Sequence, residues 1–300
     1  MPQIAANGLT FEYDAHGPED GEPLVLIMGL GAQMIAWPME LVEALVARGH
    51  RVVRYDNRDV GLSQKLDHAG LPDMPKVYQA LMTGQKPDVP YILSDMAADA
   101  AGVVDALGID RAHIVGASMG GMIAQMVAAE HPHRVLSLTS IMSTTGNPAL
   151  PPAKPEAMER LTNRGPDPAV DLEAFLDHGL EGSKVLAGPS FDEDVAEVHA
   201  RLRATYERSF YPAGFARQMA AIVASGDRRA ALASITAPTV VIHGEDDPLV
   251  QPTGGHDTAA VIPGAELHLV PAMGHNLPKR VIPTIADLIG RATTRASATA

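Results

Sequence analysis

Ser118 stands at the centre of a Gly-x-Ser-x-Gly pattern that Gly116 and Gly120 complete. An apolar run precedes it and a helical run begins directly after it, which is typical of a nucleophile elbow, a sharp turn that lifts a serine hydroxyl out of a sheet. The glycines are needed because this turn brings neighbouring backbone too close for a side chain. The first N–H groups of the helix would stabilise an oxyanion. The pattern therefore predicts nucleophilic attack on a carbonyl, against the alternative of small residues that merely fill a turn.

A serine nucleophile needs a base and an acid, and candidates for both follow later in the chain. His275 comes directly after the last predicted strand, and Glu245, Asp246 and Asp247 come directly after the strand before it. Three neighbouring acids can also form a solvated turn, and the residues alone leave open which of them would act. Because the carboxyl ends of parallel strands meet at one edge of a sheet, we expect the serine, the histidine and one acid to converge there.

The other histidines are expected to have structural roles. His113, His243 and His268 lie within or at the ends of predicted strands, where packing or hydrogen bonding is the more common role. No pair of histidines has metal-ligand spacing with a carboxylate partner, so we expect no metal ion, and no motif implies a cofactor.

The elements that must position these side chains are indicated by hydrophobic patterning. Continuous apolar runs that alternate with helical patterns over residues 24–142 predict parallel strands joined by right-handed crossovers. Besides the strand and helix of the elbow, the predicted strands are 8–13, 24–27, 51–55, 135–142, 239–242 and 266–270, and the predicted helices are 34–48, 94–107 with Ser94 as N-cap, and 279–292, followed by a frayed tail.

The alternation of strands and helices stops between residues 145 and 230. Helical patterns occur there at 172–180, 192–206 and 213–225, with no convincing strand. Because ligands bind beyond the carboxyl ends of such sheets, we expect this insert to be a helical lid. The expected division is a core of residues 1–144 and 231–300 with a lid of residues 145–230.

The composition restricts the partners. A formal net charge of -13 and a pI near 5.3 disfavour nucleic acid and anionic membrane surfaces, which attract basic proteins. The chain has no cysteine, which excludes disulfides and thiolate chemistry. Since the sequence shows neither a signal-peptide pattern nor an apolar run long enough to cross a bilayer, we expect a cytoplasmic protein that acts on a small molecule. It gives no indication of the oligomeric state.

The order of Ser118, an acid and His275 resembles the α/β-hydrolase family, over residues 8–292. The resemblance implies an α/β-hydrolase fold, with a mostly parallel central sheet flanked by helices and a helical lid insert. It assigns Ser118 as the nucleophile and His275 as the base. Because the acid of this family commonly stands three residues after a glycine, the resemblance selects Asp247, which follows Gly244.

The resemblance also implies an oxyanion hole made of backbone N–H groups. Met119, directly after the nucleophile, and Leu30, in the loop after the first buried strand, are the expected donors. Many family members open that loop with His-Gly, whereas this chain has Met28-Gly29, which removes a hydrogen-bonding anchor. Met28, Gly29 and Met273 are expected to line the substrate pocket, because flexible thioethers accept varied apolar groups.

A loop of the form R-D-x-G-x-S at residues 58–63, with G-A-S-M-G-G and G-E-D-D-P, further resembles bacterial esterases related to anthracycline methylesterases. Asp56, Arg58, Gly61 and Ser63 of this region are expected to be structural. The resemblance implies a serine carboxylic-ester hydrolase that acts on small to medium apolar esters through an acyl-enzyme. The alternatives are carbon–carbon bond hydrolysis, thioester hydrolysis or perhydrolysis on the same fold, and a non-catalytic ligand-binding protein.

Overall fold

The computed structural model describes residues 2–163 and 165–298, and within them eight strands form one mostly parallel sheet. The strands are β1 (Gln3–Ala6), β2 (Leu9–His16), β3 (Glu22–Ile27), β4 (His50–Tyr55), β5 (Ala112–Ala117), β6 (Val135–Ile141), β7 (Thr239–Gly244) and β8 (Glu266–Val270). Their order is β1-β2-β4-β3-β5-β6-β7-β8, with β2 antiparallel to both β1 and β4 and the remaining pairs parallel. The predicted sheet is confirmed, whereas the four-residue edge strand β1 is too short to show a pattern in the sequence.

Helices cover both faces of the sheet. They are α1 (Met39–Val46), α2 (Met74–Met82), α3 (Leu93–Ala106), α4 (Met119–Glu130), α5 (Pro155–Thr162), α6 (Leu172–Ala187), α7 (Val195–Arg208), α8 (Pro212–Ser225), α9 (Arg229–Leu232), α10 (Thr253–Val261) and α11 (Ile282–Ser297). Along β3, Leu24 and Leu26 belong to an apolar cluster with α1 and α11, while Val25 and Ile27 belong to a second cluster with α3 and α4. This alternation explains why the strand reads as a continuous apolar run. No helix in the described part of the chain is both long enough and apolar enough to span a bilayer.

The helix predicted over residues 34–48 is wrong at its start. Met34–Ala36 form a 3₁₀ turn, Trp37 is extended with φ −70° and ψ 120°, and α1 begins at Met39. Pro38 is the physical reason, because proline lacks an N–H and disfavours a helical conformation in the residue before it.

The N-cap prediction for α3 is also wrong. Ile92 occupies the cap position, and its N–H donates to Asp95 Oδ2 at 2.8 Å. The Ser94 hydroxyl donates instead to Glu130 at 2.9 Å. A carboxylate at the third helical position thus satisfies the backbone donor, as in one half of a capping box.

Two further differences concern the insert and the C-terminal helix. The segment between β6 and β7 contains α5 and the short α9, which the sequence pattern does not predict, in addition to the three expected helices. The C-terminal helix continues to Ser297 rather than ending at residue 292, because Ile289, Ala292 and Ala296 pack it against the core.

Candidate active site

Ser118 lies between β5 and α4 with a left-handed backbone, at φ 56° and ψ −121°. Such a conformation costs on the order of 1–3 kcal/mol in a residue with a side chain. Neighbouring groups hold it in place: the Ser118 N–H donates to the Ile141 carbonyl at 2.9 Å, and its own carbonyl accepts from the Ser143 hydroxyl at 2.9 Å. The strained turn presents the Ser118 hydroxyl at the carboxyl end of the sheet.

The flanking glycines make this turn possible. A Cβ atom on Gly116 would lie 2.0 Å from the Gly120 carbonyl oxygen, and a Cβ atom on Gly120 would lie 2.0 Å from the Ile27 carbonyl oxygen. Both contacts are with backbone, which cannot turn aside. A side chain at either position would therefore push α4 away from β3 and β5.

Ser118, His275 and Asp247 are linked by a continuous chain of hydrogen bonds. His275 Nε2 lies 2.9 Å from Ser118 Oγ, and His275 Nδ1 lies 2.8 Å from Asp247 Oδ2. These distances suit proton transfer from the hydroxyl to the imidazole. The backbone N–H of His275 donates to the Leu186 carbonyl of α6 at 2.7 Å. The inserted helices therefore also position the loop that carries the histidine.

Asp247 is buried and accepts several hydrogen bonds. Its Oδ1 accepts from the Leu249 and Val250 N–H groups, both at 2.9 Å. Burial by itself would raise the pKa of Asp247, but the charge of His275 and hydrogen bonds from His243 and His275 outweigh it and lower the pKa to about 2. The carboxylate is therefore ionised near neutral pH and can stabilise a protonated His275.

The other two acids of the same turn point elsewhere. Glu245 is exposed, and the Asp246 N–H donates to the Met273 carbonyl at 3.0 Å. His243, expected to be structural, lies with Nε2 2.6 Å from the Val250 carbonyl oxygen and 3.5 Å from Asp247 Oδ2. It therefore helps to hold Asp247 in place.

The expected oxyanion donors lie beside the serine. The N–H groups of Leu30 and Met119 have no hydrogen-bond acceptor within residues 2–163 and 165–298. Both residues border the same cavity as Ser118. The first N–H groups of a helix lack partners inside the helix, and α4 begins at Met119, so its N–H is available to an oxyanion.

Two side chains anchor the loop in which Leu30 lies. Asn57 Nδ2 donates to the Met28 carbonyl at 2.8 Å, and the Gly31 N–H donates to Gln218 Oε1 at 2.8 Å. These contacts replace the anchor that the missing histidine would supply. Sequence reasoning missed both residues because they come from segments far from the loop in the chain.

The loop that contains Asp56 and Ser63 is a structural support, as expected. Arg58 bonds Asp99 through two contacts of 2.5 and 2.7 Å, and the Ser63 hydroxyl donates to the Asp56 carbonyl at 2.6 Å. Gly61 has a φ of 56°, and a Cβ atom there would overlap the Asp56 carboxylate.

A cavity of about 620 Å³ opens above Ser118 and His275. Met28 and Gly29 line it, and the insert contributes further apolar side chains, among them Met158, Leu161, Leu186 and Met219. The expectation that Met273 lines the pocket is wrong. Its side chain is fully buried in the apolar cluster with α1 and α11 and does not line the cavity.

Polar side chains at one side of the cavity come from Glu193, Arg201 and Asn276. Arg201 Nη1 donates to Glu193 Oε2 at 2.8 Å, and Asn276 Nδ2 donates to Glu193 Oε1 at 3.3 Å. None of the three residues was predicted from the sequence. The position of Asn276 beside His275 is the one signal that could have found it.

Residues 22–278 match the family model described as alpha/beta hydrolase fold. The chain is 30% identical over 304 residues to rhodomycin D methylesterase DnrP of Streptomyces peucetius, and the alignment covers 95% of each chain. It is 30% identical over 272 residues to the 2-hydroxy-6-oxononadienedioate/2-hydroxy-6-oxononatrienedioate hydrolase of Cupriavidus pinatubonensis, covering 88% of this chain and 85% of the relative. Among solved structures, the meta-cleavage product hydrolase CumD of Pseudomonas fluorescens is similar with a TM-score of 0.75 at 20% identity, over 99% of this chain and 98% of that one. The chain therefore belongs to the α/β-hydrolase family.

Proposed function

We propose that this protein is a serine hydrolase that cleaves small to medium apolar carboxylic esters through an acyl-enzyme on Ser118. The observation that carries the proposal is the hydrogen-bonded chain from Ser118 Oγ through His275 to Asp247, at the base of a mostly apolar cavity. The methylesterase among the relatives acts on an ester by its name, which favours the same bond class here.

In the proposed mechanism, His275 Nε2 takes the Ser118 proton as Oγ attacks the ester carbonyl carbon. The Leu30 and Met119 N–H groups bind the oxyanion that forms, and each donor contributes about 3 kcal/mol. Protonated His275, stabilised by Asp247, returns the proton to the leaving alcohol. Water then attacks the acyl-enzyme with His275 again as the base, which releases the acid and restores the Ser118 hydroxyl.

We further propose that residues 145–230 act as a lid over this site. Met158, Leu186 and Met219, from three helices of the insert, form part of the cavity wall. A bound acyl or alcohol group would therefore contact both the insert and the core. Excluding water in this way strengthens the electrostatic interactions at the reacting carbonyl.

The second candidate is hydrolysis of a carbon–carbon bond next to a keto group. It is favoured by the relative from Cupriavidus pinatubonensis, whose name gives an oxo-dienedioate as the substrate. The Arg201 side chain at the cavity could meet a substrate carboxylate, although Glu193 already pairs with it. This pairing favours an uncharged ester over a dianionic substrate.

The test combines active-site labelling with a substrate panel. A fluorophosphonate probe is expected to label the peptide that contains Ser118, and Ser118→Ala is expected to abolish labelling and to lower kcat on p-nitrophenyl esters by about 10⁴- to 10⁶-fold while leaving the fold intact. Ser234→Ala, at an exposed serine, is the matched control. A Ser118→Ala protein that keeps more than about a tenth of wild-type turnover would remove the serine from the mechanism. Faster turnover of an oxo-dienoate than of any ester would favour the second candidate.

A further inference from the structure

The amino-terminal edge of the sheet, opposite Ser118, brings together Glu22, His50 and His113. These residues lie at or near the starts of β3, β4 and β5, which are neighbours in the sheet. Glu22 pairs in register with His50, and Leu24 pairs in register with His113. Because residues two apart in a strand share a face, all three side chains lie on the same face of the sheet.

The ligand atoms of this cluster are close to one another. One nitrogen or oxygen atom from each residue lies within 4.8 Å of the other two. Glu22 Oε1 is 3.1 Å from His113 Nε2, and Glu22 Oε2 is 3.7 Å from His50 Nδ1. A tetrahedral zinc ion with bonds near 2.0–2.1 Å separates its ligand atoms by about 3.3 Å, so small shifts would bring these atoms onto one ion.

The imidazole atoms that face the cluster are buried, and in the described part of the chain they form no aligned hydrogen bond. His50 is 3% exposed and His113 is 0% exposed. Within the described residues, neither His50 Nδ1 nor His113 Nε2 has a hydrogen-bond partner, and the 3.1 Å contact to Glu22 is not aligned as a hydrogen bond. Leaving a buried polar atom unpaired costs about 1–3 kcal/mol, so the two nitrogens point to a ligand.

The protonation of the rings suits metal binding. His113 Nδ1 lies 2.8 Å from Ser137 Oγ, and donating a proton to that hydroxyl leaves the lone pair on Nε2, facing the cluster. An outer partner of this kind orients the histidines of metal sites.

The nearest cations are turned to other partners. Arg48 forms an ion pair with Asp287, and Arg111 Nη2 donates to the Val135 carbonyl at 2.8 Å. Neither guanidinium therefore occupies the position between the two imidazoles and the carboxylate.

We propose that Glu22, His50 and His113 bind a divalent transition-metal ion of the zinc class. Two neutral imidazoles and one carboxylate are a donor set that zinc favours, and the Glu22 side chain, 44% exposed, leaves a position open to water. The ion links the amino ends of three adjacent strands. Ser118 lies five residues after His113, just beyond the carboxyl end of β5, about 16 Å away along the strand. The proposed metal site is therefore separate from the candidate active site and does not rest on the proposed function.

The test measures zinc binding directly and needs no substrate. The full chain, freed of metal with a chelator, is titrated with Zn²⁺ in a calorimeter, and with Co²⁺ as a spectroscopic substitute. We expect saturable binding of one ion per chain, a cobalt spectrum of low coordination number, and a rise in Tm of at least about 3 °C with saturating zinc. Glu22→Ala, at an exposed side chain that should not affect folding, is expected to weaken binding by at least about 10-fold, and Ser137→Ala by about 10-fold.

The matched control is His268→Ala, which removes a histidine from another carboxylate–histidine pair, Glu266 and His268, on β8. It is expected to bind zinc like the wild type. Failure of the wild type to bind one ion, or equal affinity in the wild type and Glu22→Ala, would overturn the proposal. Loss of binding in His268→Ala with retention in Glu22→Ala would place the ion elsewhere and overturn it as well.

Discussion

At the scale of single residues, Asp246 and Asp247 show how neighbouring acids acquire different properties. Both follow β7, yet Asp247 is buried and contacts His275, whereas Asp246 is only half-buried. The two N–H groups that donate to Asp247 Oδ1 come from the turn that follows it, at Leu249 and Val250. The turn therefore selects the acid, and the two residues are a natural pair for mutagenesis.

Asp247→Asn is expected to lower kcat on an ester substrate by about 10⁴-fold, because an amide cannot stabilise protonated His275 and holds the wrong tautomer. Asp246→Asn should change kcat by less than about 3-fold, since its side chain does not contact the imidazole. Steady-state kinetics of both purified variants provide the measurement. A larger loss in Asp246→Asn than in Asp247→Asn would show that the acid has been assigned to the wrong residue.

The lowered pKa of Asp247 also predicts how stability depends on pH. Its pKa is about 2 in the folded protein, against about 3.9 for an unfolded aspartate, so folding favours the ionised form. The resulting stabilisation is fully present above about pH 4 and is lost as the pH falls toward 2; its size is on the order of 2 kcal/mol. Urea unfolding between these pH values should show a larger loss in the wild type than in Asp247→Asn. An equal loss of stability in the two proteins would contradict the assignment of this pH dependence to Asp247.

At the scale of elements, α8 connects the insert to the loop that carries Leu30. Gln218 of α8 accepts from the Gly31 N–H, and its Nε2 donates to the Arg58 carbonyl at 2.8 Å. One buried amide thus fixes α8, the loop after β3 and the loop after β4 relative to one another. The orientation of the Leu30 N–H depends on this contact.

Gln218→Leu is expected to lower kcat by about 10- to 100-fold with a smaller change in KM, because a misplaced oxyanion donor weakens binding of the transition state more than of the substrate. The control is Gln125→Leu, at another fully buried glutamine whose Nε2 donates to the Ser140 hydroxyl in the core. Both variants should lose stability, but the kcat effect should be confined to Gln218→Leu. A parallel fall in kcat in both variants would indicate a general loss of packing instead.

At the scale of the whole molecule, a buried ion pair fastens the insert to the core. Arg217 of α8 binds both carboxylate oxygens of Asp59 at 2.8 Å, and Tyr91 also donates to Asp59 at 2.8 Å. Both partners of the ion pair are almost completely buried. The position of the insert over the cavity therefore depends on the Arg217–Asp59 ion pair, which water cannot replace without a loss of stability.

Arg217→Leu is expected to lower the free energy of unfolding by about 3–5 kcal/mol, because it leaves Asp59 buried and without its cation. Arg229→Leu removes an arginine from an exposed pair with Asp227 and should cost far less, because solvent screens such a pair. Guanidinium unfolding curves compare the two. Similar losses in both variants would show that the Asp59 pair does not hold the insert in place.

Much of the architecture follows from local patterns. The apolar runs of β3 and β7 are visible in the sequence because a strand that is buried on both faces needs apolar residues at nearly every position. The patterns fail where one residue or a short pairing overrides them, as at Pro38 and at the edge strand β1. Helix ends are also poorly determined, since the cap of α3 depends on Asp95 rather than on the nearby serine.

Local sequence is enough to specify the turn at Ser118, because Gly116 and Gly120 are required by backbone contacts that involve few residues. It also indicated that His275 and an acid follow the last strands. The residues alone left the acid open and the family resemblance selected Asp247, which the folded chain brings to the imidazole. Only long-range packing turns Met273 into the core and brings a glutamate and two histidines together at the opposite edge. The reason is physical: local sequence sets backbone conformation, whereas contacts between distant side chains depend on strand order and on the packing of every element around them.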